Sequence, residues 1–426
     1  MSIGRARQGV VYRQGALGRR PAVPTDAAEL ERAAHRRMSR RAWAYVAGGA
    51  GEGATMRHNR AAFERWRIRP RMLHGVTERD LRTEVCGTPL AAPLLLAPVG
   101  AGALVRRDSD VLIARGAAAA GVPYVLSNQG CSPMERTAEA MGETPFWYQL
   151  YWSTDERLVD SMVGRAEACG ARALVVTLDT TMLGWRPQDL NLGSLPFARG
   201  QGIAQYTSDP RFMEIVRERA QAPAAKAQVT LGALRTLLSI AREHPGSTWA
   251  NLRAREPRAA VETFLDIYSN PGLSWEHLAT LRGRTRLPIL LKGILDPADA
   301  RRALDAGVDG IIVSNHGGRQ VDHAVAALDA LVAIRCAVGA GPTLLFDSGI
   351  RTGADVFLAL ALGADACLLG RPHLYGLALA GADGVRQVIE NVLAELDLTM
   401  ALTGVANLAG LTPDVLRPAP EGRIDA

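Results

Sequence analysis

Residues 311–323 read IIVSNHGGRQVDH: three apolar β-formers run into Ser314, Asn315 and His316, two glycines follow, and Arg319 comes next. A histidine at a strand end can act as a general base near neutral pH, and Asp179, at the end of another apolar run, can hold and stabilise its imidazolium. Arg319, freed by Gly317 and Gly318, can turn into the same cavity, and a guanidinium beside a base suits a small carboxylate substrate. Gly349 and Arg351 follow one further run, and Gly370 and Arg371 close another. Glycines let backbone N–H groups approach an anion and arginine adds bidentate bonds, so these two sites predict a phosphorylated ligand. Lys292, within PILLKGI, can stabilise an anion or form a Schiff base.

These residues need a common frame, and eight short apolar runs supply it. They are PLLLAPV from Pro93, VPYVLSN from Val122, PFWYQLY from Pro145, ALVVTLD from Ala173, PILLKGI from Pro288, GIIVSNH from Gly310, TLLFDSG from Thr343 and ACLLGR from Ala366. Continuous rather than alternating apolar runs suit strands buried on both faces of a parallel sheet. Ala/Leu-rich helical stretches follow most of them, for example at 132–141, 155–169, 296–306 and 353–362. Eight such units predict an α/β fold, a (β/α)₈ TIM barrel, in preference to a doubly wound sheet. In that barrel the C-terminal strand ends face the catalytic mouth. They carry Pro98, Val99 and Gly100; Ser127; Gln149 and Tyr151; Thr177 and Asp179; Lys292; Ser314, His316 and Arg319; Asp347, Gly349 and Arg351; and Gly370 and Arg371.

Most runs start at the spacing of a βαβ unit, roughly 30 residues, but Ala173 and Pro288 lie several times further apart than the others. An insertion of approximately residues 187–265 therefore sits on the loop after the fourth strand, with helical pieces at 210–221 and 231–242 and the barrel helix resuming at 274–282. It is a candidate lid over the mouth, or an oligomer contact or a disordered loop, and the readings can coexist. Residues 26–47 read as one helix capped by Thr25. The domain reading is an N-terminal tether, residues 1–23, and one barrel domain, residues 24–426.

The chain has 426 residues, is 48% hydrophobic and carries a net charge of +6, from arginines scattered without a dense run. That pattern favours small anions over a nucleic-acid groove, and aromatics at 5% give little base-stacking surface. Five widely spaced cysteines offer neither metal spacing nor a disulfide framework, which suits a reducing cytoplasm. No metal is expected. No run is long enough to span a bilayer, and the arginine-bearing N-terminus lacks the apolar stretch of a secretory signal.

SNHGGRQ together with LKGI, DSGIR, LGADACLLGRP and QLYW resembles the FMN-dependent 2-hydroxy-acid oxidases and dehydrogenases, in family order and over nearly the whole chain. The resemblance implies FMN as cofactor, with His316 as base, Asp179 as its partner and Lys292 by the flavin. It implies a substrate-carboxylate clamp of Arg319 and Arg186, helped by the hydroxyls of Tyr45 and Tyr151. It places Ser127, Gln149, Thr177 and Ser314 at the flavin ring, Asp347 at the ribityl chain, and Gly349, Arg351, Gly370 and Arg371 at the phosphate. Gln129 stands where many members carry tryptophan, and Gly100 where alanine is common, leaving space beside the ring. With LDTTMLGWR, GIAQYTSDP and the long fourth loop, these features are most similar to the lactate 2-monooxygenase branch. The implied function is oxidation of L-lactate or a similar short L-2-hydroxy acid, with oxidative decarboxylation to acetate, CO2 and water. The alternatives are an oxidase or dehydrogenase releasing the 2-oxo acid, a Schiff-base aldolase on Lys292, and a non-catalytic FMN-binding barrel. The expected partners are a 2-hydroxy carboxylate and oxygen, in a homo-oligomer.

Overall fold

A computed structural model describes residues 2–222 and 230–420. The eight apolar runs form eight parallel strands: β1 Leu94–Leu96, β2 Tyr124–Leu126, β3 Phe146–Leu150, β4 Leu174–Thr177, β5 Ile289–Ile294, β6 Gly310–Val313, β7 Thr343–Phe346 and β8 Ala366–Leu369. They pair in chain order, and β8 closes on β1, so the sheet is a barrel with no free edge. Helices cover the outside, which is why neither face of a strand is polar along its length.

The interior of the barrel explains the layout of the site. Leu95, Val125, Trp147, Val175, Leu290, Ile312, Leu345 and Leu368 fill it, together with Val85 and Leu90. The last two belong to the hairpin of Thr83–Val85 and Thr88–Leu90, which plugs the N-terminal end. Trp147 Nε1 donates to Thr88 Oγ1 at 3.1 Å and fixes that plug. Side chains two residues apart on a strand share a face. Two residues beyond these core positions come Ser127, Gln149, Thr177, Lys292, Ser314, Asp347 and Gly370. The polar layer is thus the next layer of the same interior, at the C-terminal mouth.

Other elements depart from expectation. The predicted helix over 26–47 is two helices, Ala27–Arg37 and Arg40–Ala47. Asp26, not Thr25, caps the first. Ser39 caps the second by accepting from Ala42 N at 3.2 Å, so its side chain competes with a continuous helix. The segment read as a tether contains a helix, Ile3–Ala16, packed on the last helix, Arg371–Thr403. Gly4 permits the approach, since a Cβ there would lie 2.4 Å from Leu398 Cγ.

The described residues of the insertion, 187–222 and 230–265, are folded. Pro210–Ala220 and Leu231–Glu243 appear near their expected bounds, and Thr248–Arg253 and Glu256–Ile267 are further helices. Phe197, Tyr206, Phe212, Phe264 and Tyr268 form its aromatic centre. Tyr206 Oη donates to Asn128 Oδ1 at 2.6 Å, and Asn128 Nδ2 donates to Tyr148 Oη at 2.6 Å, so the insertion is anchored just past β2 and, through Asn128, to the middle of β3. Among the described residues no helix is long and apolar enough to cross a membrane, and no cluster of metal-ligating side chains occurs.

Candidate active site

His316 sits four residues past Ile312 in β6, beyond the last ladder bond, with φ +57°. A non-glycine residue there costs about 1–2 kcal/mol, so its surroundings must hold it. Ser314 Oγ accepts from His316 N at 3.0 Å, and Ser348 Oγ accepts from Asn315 N at 3.2 Å and from Gly317 N at 3.0 Å. Asn315 and Asn59 exchange two side-chain hydrogen bonds of 2.8 and 2.7 Å, both buried, and tie the turn to the helix Ala54–Glu64.

His316 Nδ1 lies 2.7 Å from Asp179 Oδ1, and Thr180 Oγ1 donates to the same carboxylate oxygen at 3.0 Å. Burial lowers the His316 pKa, and Asp179 opposes that shift without cancelling it, so the ring is neutral at neutral pH. Burial also disfavours the Asp179 carboxylate, but His316, Lys292 and Thr180 together hold it below the usual range. A neutral imidazole backed by a carboxylate can take a proton and keep the resulting charge.

Lys292 Nζ donates to Ser314 Oγ at 2.9 Å and pairs with Asp347 Oδ2 at 2.9 Å. Burial works against the ammonium, but Asp347 and Asp179 raise its pKa overall, so it stays charged. A charged ammonium is a poor Schiff-base nucleophile, which weighs against the aldolase reading.

The arginines are arranged for anions. Arg319 lies over the Tyr45 ring at 4.9 Å and donates to the carbonyls of Tyr45 and Gly48. Arg186 Nε donates to Arg319 O at 3.0 Å, and its Nη2 to Gln320 Oε1 at 2.6 Å. Burial, then the neighbouring Arg186, push Arg319 down to about 9, which leaves it charged and in want of a counter-ion. Burial raises the pKa values of Tyr45 and Tyr151, so both phenols remain donors.

These groups converge on one cleft. Its wall contains Tyr45, Tyr151, Arg186, Lys292, His316 and Arg319 together with Pro98, Val99, Gly100, Thr177, Asp347, Gly349, Arg351, Gly370 and Arg371. Asp179, Ser127, Gln149 and Ser314 lie behind this wall. Ser127 and Ser314 hold backbone N–H groups of Gln129 and His316, and Asp179 backs the imidazole. Sequence reasoning missed Thr180, Ser348, Phe197 and Tyr268, the last two brought to the cleft by the insertion. Ser348 lies within DSG and Thr180 directly follows Asp179, but neither position follows from strand periodicity. The space expected beside Gly100 is taken: a Cβ there would lie 2.7 Å from Gln129 Cβ, so Gln129 fills it from β2.

The residues fit FMN. Gln149 Nε2 and Thr177 Oγ1 are buried polar atoms without a partner among the described residues, as a flavin-ring floor requires. Gly349 has φ +107°, with a backbone that few other residues adopt. At Gly370 a Cβ would meet nothing nearer than Ala97 Cβ at 3.9 Å, so open space suited to a phosphate lies where the long helix begins.

Residues 34–418 match the family of FMN-dependent dehydrogenases. An FMN-dependent alpha-hydroxy acid dehydrogenase of Penicillium citrinum is 40% identical over 409 residues, covering 96% of this chain and 94% of that protein. An L-lactate oxidase of Lysinibacillus sphaericus is 39% identical over 388 residues, covering 91% of each chain. A crystal structure of mandelate oxidase superposes with a TM-score of 0.74 at 33% identity, covering 93% of this chain and 99% of that one. The chain therefore belongs to the FMN-dependent dehydrogenase family, whose members here act on 2-hydroxy acids, and FMN is its cofactor.

Proposed function

We propose that this FMN enzyme oxidises L-lactate or a similar short L-2-hydroxy acid and that the product is decarboxylated to acetate before it leaves. The observation that carries this reading is one neutral imidazole, His316, backed by Asp179 at 2.7 Å in the cleft that Arg319 and Arg186 also line. Arg319 and Arg186 bind the carboxylate, with Tyr45 and Tyr151 donating to the substrate oxygens. His316 then takes a proton from the bound acid and Asp179 stabilises the imidazolium. FMN, when bound, accepts the two electrons that leave the α-carbon. Thr177 and, from behind the wall, Gln149 would serve its ring, with Ser127 and Ser314 bracing the backbone around it, Asp347 would serve its ribityl chain, and Gly349, Arg351 and the backbone at Gly370 and Arg371 its phosphate. Lys292 offsets the negative charge that two electrons bring.

Lactate loses two electrons and two protons to become pyruvate. Oxygen takes up the same two electrons and two protons as hydrogen peroxide, which converts retained pyruvate to acetate, carbon dioxide and water. Retention is supported by the insertion, whose Phe197 and Tyr268 close part of the wall. A second reading, release of pyruvate with free peroxide, is favoured by relatives that are L-lactate oxidases. The test is L-lactate turnover in air with catalase excluded, measuring acetate, pyruvate and peroxide per oxygen consumed. Acetate with little free peroxide is expected. Equal pyruvate and peroxide would leave the simple oxidase, and a flavin that L-lactate does not bleach without oxygen would move the substrate to another 2-hydroxy acid or leave a non-catalytic FMN barrel.

A further inference from the structure

We propose that Arg371 is a positioning residue that ties the two halves of the active site together: its guanidinium grips the substrate-side segment, residues 45–48, and the turn that carries His316. The sequence places Arg371 after β8, where its charge suggests a phosphate ligand. Its side chain points elsewhere. Nε donates to Val46 O at 3.0 Å, Nη2 to Gly48 O at 3.0 Å, and Nη1 to Gly317 O at 2.9 Å. All three guanidinium nitrogens thus bind backbone carbonyls. Arg351, among the described residues, donates to its neighbour Ile350 O at 2.9 Å and is the freer cation for an anion.

Two details make the grip specific. The Gly48 carbonyl is shared, since Arg319 Nη1 also donates to it at 3.1 Å, so Arg371 and the proposed clamp meet on one oxygen. Gly317 follows His316 directly, and a Cβ at Gly317 would lie 2.9 Å from Arg371 Nη1. The planar guanidinium therefore fits against the bare backbone of a turn whose His316 is itself in the left-handed region. Lysine, with a single nitrogen, cannot span three carbonyls.

This inference rests on the reading of His316 as base and Arg319 as clamp, so one readout is kept independent of turnover. The holoenzyme variants Arg371→Lys and Arg371→Met are compared with wild type for FMN dissociation constant, amide hydrogen exchange at 45–48 and 316–318, and flavin reduction by L-lactate. FMN affinity is expected to change less than about threefold, while exchange in both segments quickens, reduction slows roughly 10- to 100-fold and KM rises, because base and clamp lose their alignment. Lysine should not rescue, although it keeps the charge. An FMN dissociation constant raised about 100-fold, with exchange unchanged and flavin-saturated turnover intact, would make Arg371 a phosphate ligand and overturn the proposal. Full rescue by lysine would overturn it as well. If Arg371→Met does not fold, Arg371→Lys carries both comparisons. If L-lactate fails to reduce wild-type flavin, the substrate reading fails while the exchange result still decides the role of Arg371.

Discussion

At His316, burial and a carboxylate pull in opposite directions. Burial lowers the imidazole pKa and Asp179 opposes that shift without cancelling it, so the proposed base is neutral at neutral pH, the form that accepts a proton. Replacing Asp179 with asparagine removes the group that favours the protonated ring. The working form is the neutral one, so activity is lost as pH falls through the His316 pKa. In Asp179→Asn that acidic limb should move to lower pH, and reduction should slow by about 10²-fold because the imidazolium is no longer stabilised. The measurement is kcat/KM for the 2-hydroxy acid against pH; a limb that stays in place would assign it to another group. Residues such as Lys292, Ser314 and Asp347 were legible because strand periodicity alone puts them on the inner face. Thr180 and Ser348 were not, because loop geometry decides where their hydroxyls go, and the filling of the Gly100 space by Gln129 joins two strands that no local pattern connects.

Among the elements, β5 shows how a strand adapts to a buried carboxylate on its neighbour. Its register against β6 shifts between Lys292 and Ile294, where Gly293 has φ +112°. A Cβ at Gly293 would lie 2.8 Å from Asp179 Cβ, so the bulge makes room for the carboxylate that backs His316. Gly293→Ala should destabilise the fold by roughly 1–3 kcal/mol through backbone strain. It should also slow reduction by displacing Asp179, and that part has a clean signature. In an Asp179→Asn background the alanine should cost little further rate, because the two changes share one partner. Additive losses in rate would show that Gly293 acts by another route. The eight strands were legible because burial on both faces leaves continuous apolar runs. The insertion was legible as a gap in spacing, but its later helices and their aromatic centre, Phe264 with Tyr206 and Tyr268, rest on tertiary contacts between segments far apart in the chain.

On the scale of the molecule, the last helix links the active site to the chain's first helix, and a kink divides the two jobs. Arg371–Thr403 leaves helical geometry at Ala380 and Gly381. Before the kink, Arg371 lies in the wall of the cleft. Beyond it, Glu390 pairs with Arg7 at 2.9 Å, and Asp397 accepts from Gly4 N at 2.9 Å while pairing with Arg79 at 2.9 Å. Arg79 and Asp397 are both buried there, an arrangement that the first helix helps to shield. The segment read as a tether is polar overall, so hydrophobic patterning gave no sign of this docking, which depends on Gly4 and on ion pairs across the length of the chain. Deleting residues 2–20 should expose the Arg79 and Asp397 pair to water and remove the Arg7 pair. Exposed ion pairs contribute roughly 0–1 kcal/mol, and a chain of this size has a large unfolding entropy, so the melting temperature should fall by only a few degrees. The kink and the barrel between them and the cleft should leave FMN content and kcat/KM for the 2-hydroxy acid unchanged. Thermal melting and steady-state kinetics on the same preparation decide it: lost turnover with an unshifted melting temperature would mean that the first helix acts on the site itself.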